Sequence, residues 1–99
     1  MPLNINIDRE RIAEFCRAHN IEKLTLFGSV LRDDFRPDSD VDVLVWFAPE
    51  HTPGLFGFMA MQNELSDMIG RTVDLRTPNE LSRHFRDEVV RESEVQYAA

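Results

Sequence analysis

Asp40-Val41-Asp42-Val43-Leu44-Val45-Trp46-Phe47 is the stretch on which the fold of this chain turns. It is dense in β-branched and aromatic residues, which suit a pleated and largely buried surface, and the pattern predicts a strand over Asp40 to Phe47. Its two acids, Asp40 and Asp42, are one residue apart. A strand sends alternate side chains to one face, so both point the same way with about 6.6 Å between their α-carbons. Two carboxylates placed like this can converge on one ion.

Upstream, Lys23 to Phe27 alternates polar and apolar residues, with Leu24 and Leu26 on one face, and reads as a strand that stops at Gly28-Ser29. Val30 to Arg32 suits a short helical turn, and Asp33 to Ser39, with Pro37, suits a loop. Further upstream, Asp8 is placed to cap a helix whose apolar positions are Ile12, Phe15 and Cys16, with Arg17 and His19 near its end and Asn20 as its stop. Downstream, a turn-rich Pro49 to Gly54 precedes a helix over Leu55 to Ile69 that Gly70 closes. Thr72 to Arg76 alternates again and predicts a third strand before Pro78. Thr77 and Glu80 have capping-box spacing before a last helix through Phe85, Val89 and Val90 toward Tyr97. The order helix, strand, strand, helix, strand, helix predicts an α/β (α+β) domain, a small mixed sheet with helices packed on it. Without repeats or a Gly/Ser linker, residues 1–99 are expected to form a single domain.

Composition narrows the function. The chain has 11 Lys plus Arg against 18 Asp plus Glu, a net charge of −7, and Lys23 is its single lysine. A nucleic-acid backbone needs clustered positive charge, so no direct nucleic-acid contact is expected, and a basic protein partner fits better. One cysteine, Cys16, forms no internal disulfide and no multi-cysteine zinc site, consistent with a reducing cytoplasm. The longest apolar run, Val43 to Ala48, falls far short of the roughly 20 residues of a spanning helix. Asn4, Asp8 and Arg9 spoil a signal-peptide pattern. The expectation is a cytoplasmic protein with no membrane partner.

The chemistry centres on the acids. Asp74 sits between Val73 and Leu75 on another predicted strand, where an acid needs a reason to exist. Two carboxylates about 5 Å apart repel by roughly 3 kcal/mol at an effective dielectric near 20, so three gathered together invite a raised pKa or a bound cation. Oxygen ligands favour Mg²⁺ or Mn²⁺, and such a site suits phosphoryl or nucleotidyl transfer. Gly28-Ser29 at a strand end allows close approach of a phosphate, with hydroxyl and amide donors, and Arg32 offers a charged fork beside it. The plainer readings are a solvated acidic turn for Asp38 to Asp42, an edge-strand acid for Asp74 and a surface residue for Arg32. A calcium loop is disfavoured because Val43 stands where glycine is needed and Pro49 where the bidentate glutamate belongs. His19, His51 and His84 have no metal-ligand spacing and receive no role. Cys16 is read as core. Leu55, Phe56, Phe58, Met59 and Met61 crowd more than one helical face; core packing is the expectation, a docking patch the other reading.

Gly28-Ser29, ten intervening residues, then Asp40-Val41-Asp42 resembles the signature of the DNA polymerase beta superfamily of nucleotidyltransferases. The wider pattern adds Leu26 to Arg32, Arg36 to Val45 and Gly70 to Leu75. It resembles the minimal nucleotidyltransferases (MNT), the antitoxin half of HEPN/MNT toxin–antitoxin pairs, over nearly the whole chain. The resemblance implies a polymerase-beta-like fold. It also implies Asp40 and Asp42 as metal-binding acids, Asp74 as the third acid assisting the attacking hydroxyl, and Gly28 and Ser29 as triphosphate contacts, with Arg32 near them. Asp74 completes the metal set. The implied function is Mg²⁺-dependent transfer of AMP from ATP to a hydroxyl, a tyrosine, of a HEPN toxin, which silences it within a hetero-oligomer. The alternative is a non-catalytic antitoxin that neutralises a basic toxin by contact alone. An antibiotic- or nucleic-acid-modifying transferase ranks last, for want of a substrate domain or a basic surface.

Overall fold

Asp8 starts the first helix as its sequence position predicts: its carboxylate accepts hydrogen bonds from the backbone N–H of Glu10 and Arg11, at 3.1 and 3.3 Å. In the computed structural model, which describes residues 7–31 and 39–99 with the Ser29 side chain excepted, this helix, α1, spans Arg9–Ala18. It ends at His19, and Asn20 turns the chain in the left-handed region at φ 57°. Strands β1 (Ile21–Phe27) and β2 (Val41–Phe47) follow, with a 3₁₀ turn over Gly28–Leu31 after β1. Helix α2 (Leu55–Ile69) is closed by Gly70 at φ 76°, whose N–H reaches Ser66 O at 2.8 Å. Strand β3 (Val73–Arg76), a 3₁₀ turn (Pro78–Glu80), helix α3 (Arg86–Glu92) and strand β4 (Glu94–Ala98) complete the order.

The four strands form one mixed sheet in the order β3-β2-β1-β4. β1 runs antiparallel to β2 and β4, while β2 and β3 are parallel, as a helical crossover through α2 requires. Alternation sorts the side chains. Leu24, Leu26, Val41, Val43, Val45, Val73 and Leu75 face α1 and α2, where Ile12, Phe15, Cys16, Met61 and Leu65 close the core. The opposite face buries Thr25, Leu44 and Gln96 under the Pro78–Glu80 turn and α3, and leaves Asp42, Asp74 and Arg76 only half-buried.

Two expectations are corrected. The single helix foreseen from Thr77 toward Tyr97 is a 3₁₀ turn, a short helix and a strand, and Thr77 makes no side-chain cap. The free edge of β1 explains the strand: its backbone groups need partners, and β4 supplies them with Leu24 opposite Tyr97 and Thr25 opposite Val95. Ser93 ends α3 by bonding back to Val90 O through Oγ at 2.7 Å. The second correction concerns α2, whose first turns do not pack into the core: Leu55, Phe56 and Met59 are 72%, 86% and 50% exposed. The buried stripe runs through Met61 and Leu65, with Phe58, Met68 and Ile69 at its borders, and Phe56 and Met59 lie off it. Among the described residues, no helix is long and apolar enough to cross a membrane.

Candidate active site

The parallel register of β2 and β3 places Val41 beside Val73, Asp42 beside Asp74, Val43 beside Leu75 and Leu44 beside Arg76. The valines and Leu75 take the core face, so Asp42 and Asp74 emerge together on the other, on backbones about 4.8 Å apart. Val41 N donates to Thr72 O at 2.8 Å and ties the starts of the two strands. On the far side of β2, Phe27 pairs with Asp42, so the residue that follows, Gly28, lies directly against that acid. Gly28 holds φ 78°, and a Cβ built on it would run into Asp42 Oδ2 and come within 3.2 Å of its Cγ. The missing side chain is where the Asp42 carboxylate sits.

Asp40 is exposed, in the residue just before β2. Among the described residues, no three His, Cys, Asp or Glu side chains stand close enough to hold a metal ion together. Ser29 lies in the 3₁₀ turn beside Gly28, and Arg32 falls outside the described residues. Cys16 is buried, with its thiol pushed up to about 12 by loss of water, against the smaller opposing effect of Arg17; it stays a protonated core residue, not a nucleophile.

Four residues that the sequence did not single out shape this region. Arg76 Nη2 and Nε lie 3.1 and 3.2 Å from Asp74 Oδ2. Arg71 Nη2 points to Ser39 O at a long 3.5 Å, next to Asp40. From α2, Gln62 Oε1 accepts from Leu75 N at 2.9 Å and Ser66 Oγ from Val73 N at 3.0 Å. They satisfy the outward N–H groups of β3, an edge strand, and so hold Asp74 in register with Asp42. The available signal was two polar residues four apart beside the buried Met61 and Leu65.

A glycine turn pressed against one of two adjacent carboxylates suits polyphosphate and cation chemistry, and the whole chain points the same way. The chain belongs to the nucleotidyltransferase domain family, whose sequence profile matches residues 9–97. It is similar to the protein adenylyltransferase MntA of Thermococcus cleftensis, 35% identical over 72 residues that cover 73% of this chain and 71% of the relative. A solved minimal nucleotidyltransferase shares 33% identity at a TM-score of 0.71, over 86% of this chain and 85% of that one. A complex of a tri-AMPylated Shewanella oneidensis HEPN toxin with its MNT antitoxin matches at a TM-score of 0.67 over 92% of this chain and 70% of that one; at 20% identity the likeness is one of fold.

Proposed function

We propose that the chain is a protein adenylyltransferase of a toxin–antitoxin pair, moving AMP from ATP to a hydroxyl, a tyrosine, of a HEPN-type toxin and thereby neutralising it in the cytoplasm. The observation that carries this reading is the register of Asp42 with Asp74, with the Asp42 carboxylate set against the glycine turn at Gly28. Such an arrangement suits hard-cation and phosphate chemistry. Asp40 and Asp42, one residue apart, are the residues that would hold Mg²⁺, which would supply charge neutralisation on the phosphates when bound, and Asp74 serves the acceptor.

The chain's own residues supply the rest. The turn at Gly28, whose side-chain space Asp42 fills, would meet the triphosphate together with Ser29 and Arg32, which would contact its oxygens. Asp74 orients the acceptor hydroxyl and takes its proton as the oxygen attacks the α-phosphorus. The bond from that phosphorus to the bridging oxygen breaks, and pyrophosphate leaves. The net charge of −7 steers a basic partner toward the chain and disfavours direct nucleic-acid contact. The likeness to a protein adenylyltransferase and to an antitoxin bound to an AMPylated toxin supports the same acceptor class.

Intact-mass spectrometry of the chain and its toxin partner after incubation with ATP and Mg²⁺, with Asp42→Asn alongside, tests this reading. The partner is expected to gain AMP only with the unsubstituted chain, and peptide mapping should place it on a tyrosine. A partner that stays unmodified yet is bound and neutralised would replace transfer with contact inhibition.

A further inference from the structure

Arg76 has no task in the transfer chemistry described above, yet it shares the open face of the sheet with Asp42 and Asp74. Its guanidinium places two N–H donors on one oxygen: Nη2 stands 3.1 Å and Nε 3.2 Å from Asp74 Oδ2. Burial does not force this contact, because the Arg76 and Asp74 side chains are 43% and 36% exposed. Nor does it add much to stability, since exposed ion pairs are weak. The long arginine side chain could equally reach water. Its backbone, by contrast, is fixed: Arg76 pairs with the buried Leu44, and the preceding residue, Leu75, is held by Gln62 from α2. A flexible side chain on a rigid strand is therefore spent on one oxygen of one acid, next to a second acid in register.

We propose that Arg76 is a positioning residue for the transfer reaction. It clamps Asp74 through Oδ2, leaving Oδ1 for the acceptor hydroxyl, and its charge offsets the repulsion between Asp74 and Asp42. This rests on the reading of Asp74 as the acid that serves the acceptor.

The test compares Arg76→Gln, Arg76→Lys and Asp42→Asn in the chain with its toxin partner, following AMP transfer under steady-state conditions. Arg76→Gln is expected to lower kcat by about 10- to 100-fold, the scale of a misplaced reacting group. KM for ATP should stay within about twofold. Arg76→Lys should recover part of kcat, as a single charge can still meet Oδ2. Independently of turnover, the Arg76 Nε–H resonance is expected to shift on Asp74→Asn. An unchanged kcat in Arg76→Gln, while Asp42→Asn is inactive, overturns the proposal and leaves the transferase reading standing. A rise in KM for ATP at constant kcat also overturns it, by making Arg76 a nucleotide contact. Full transfer by Asp42→Asn overturns the reading itself, and the role of Arg76 with it.

Discussion

Gly28 carries two constraints that no other residue type meets at once. Its φ of 78° is a left-handed backbone that costs a side-chain-bearing residue about 1–2 kcal/mol. The space a Cβ would need is filled by the Asp42 carboxylate, so an alanine must push that acid aside as well. The strain affects stability and the displacement affects chemistry, and the two are separable by measurement. Gly28→Ala is expected to melt only several degrees lower, yet to lose at least about tenfold in AMP transfer, because Asp42 leaves its register with Asp74. Circular dichroism melting and steady-state transfer rates check both halves; an alanine variant with normal turnover would show that the close approach of Gly28 to Asp42 is incidental. Cys16 makes the contrasting case. Its thiol is buried and held protonated, so it contributes packing, and no step of the chemistry needs it.

Among the elements, β3 depends most on its neighbours. It has four residues, forms the edge of the sheet and delivers Asp74, and α2 completes its outer hydrogen bonds through Gln62 and Ser66. Removing one acceptor leaves a partly buried N–H without a partner, which costs about 1–3 kcal/mol. Gln62→Ala is accordingly expected to lower stability by about that amount and to speed amide exchange at Leu75, with transfer falling further than stability predicts. Hydrogen exchange followed by mass spectrometry reads the first effect; unchanged exchange at Leu75 would show that Gln62 does not hold β3 in place. Such links lie beyond local pattern. α1, α2 and the first three strands were legible because helical spacing and alternation are properties of adjacent residues, and Gly28, Asp42 and Asp74 stood out for the same reason. β4 was not legible: Glu94-Val95-Gln96-Tyr97-Ala98 is short and mixed in polarity, and its reason for being extended is the open edge of β1, some seventy residues earlier in the chain. Gln62 serves a strand residue 13 positions away, and the Arg76 contact with Asp74 depends on a rotamer, which no spacing reveals.

On the scale of the whole molecule, the site and the exposed apolar turn of α2 stand at opposite ends. β2 and β3 both start at the acids and run away from them, and α2, 15 residues or about 22 Å long, brings the chain back from Leu55 to Gly70 at the site end. The two acids therefore open at one rim of the sheet, where the toxin of the proposed pair would dock. Long-range charge is expected to act on that encounter. A chain of net charge −7 attracts a basic partner over about a Debye length, roughly 10 Å at 0.1 M salt and 3 Å at 1 M. Steering of this kind acts on the encounter more than on the lifetime of the complex. Stopped-flow association with the toxin partner is thus expected to slow by about an order of magnitude or more as salt rises from about 0.05 to 0.5 M, while dissociation changes little. Asp42→Asn alters a single charge among 18 acids and should bind nearly as fast while transferring nothing, which separates encounter from chemistry. Association insensitive to salt would mean that the acidic surface plays no part in bringing the toxin partner to the chain.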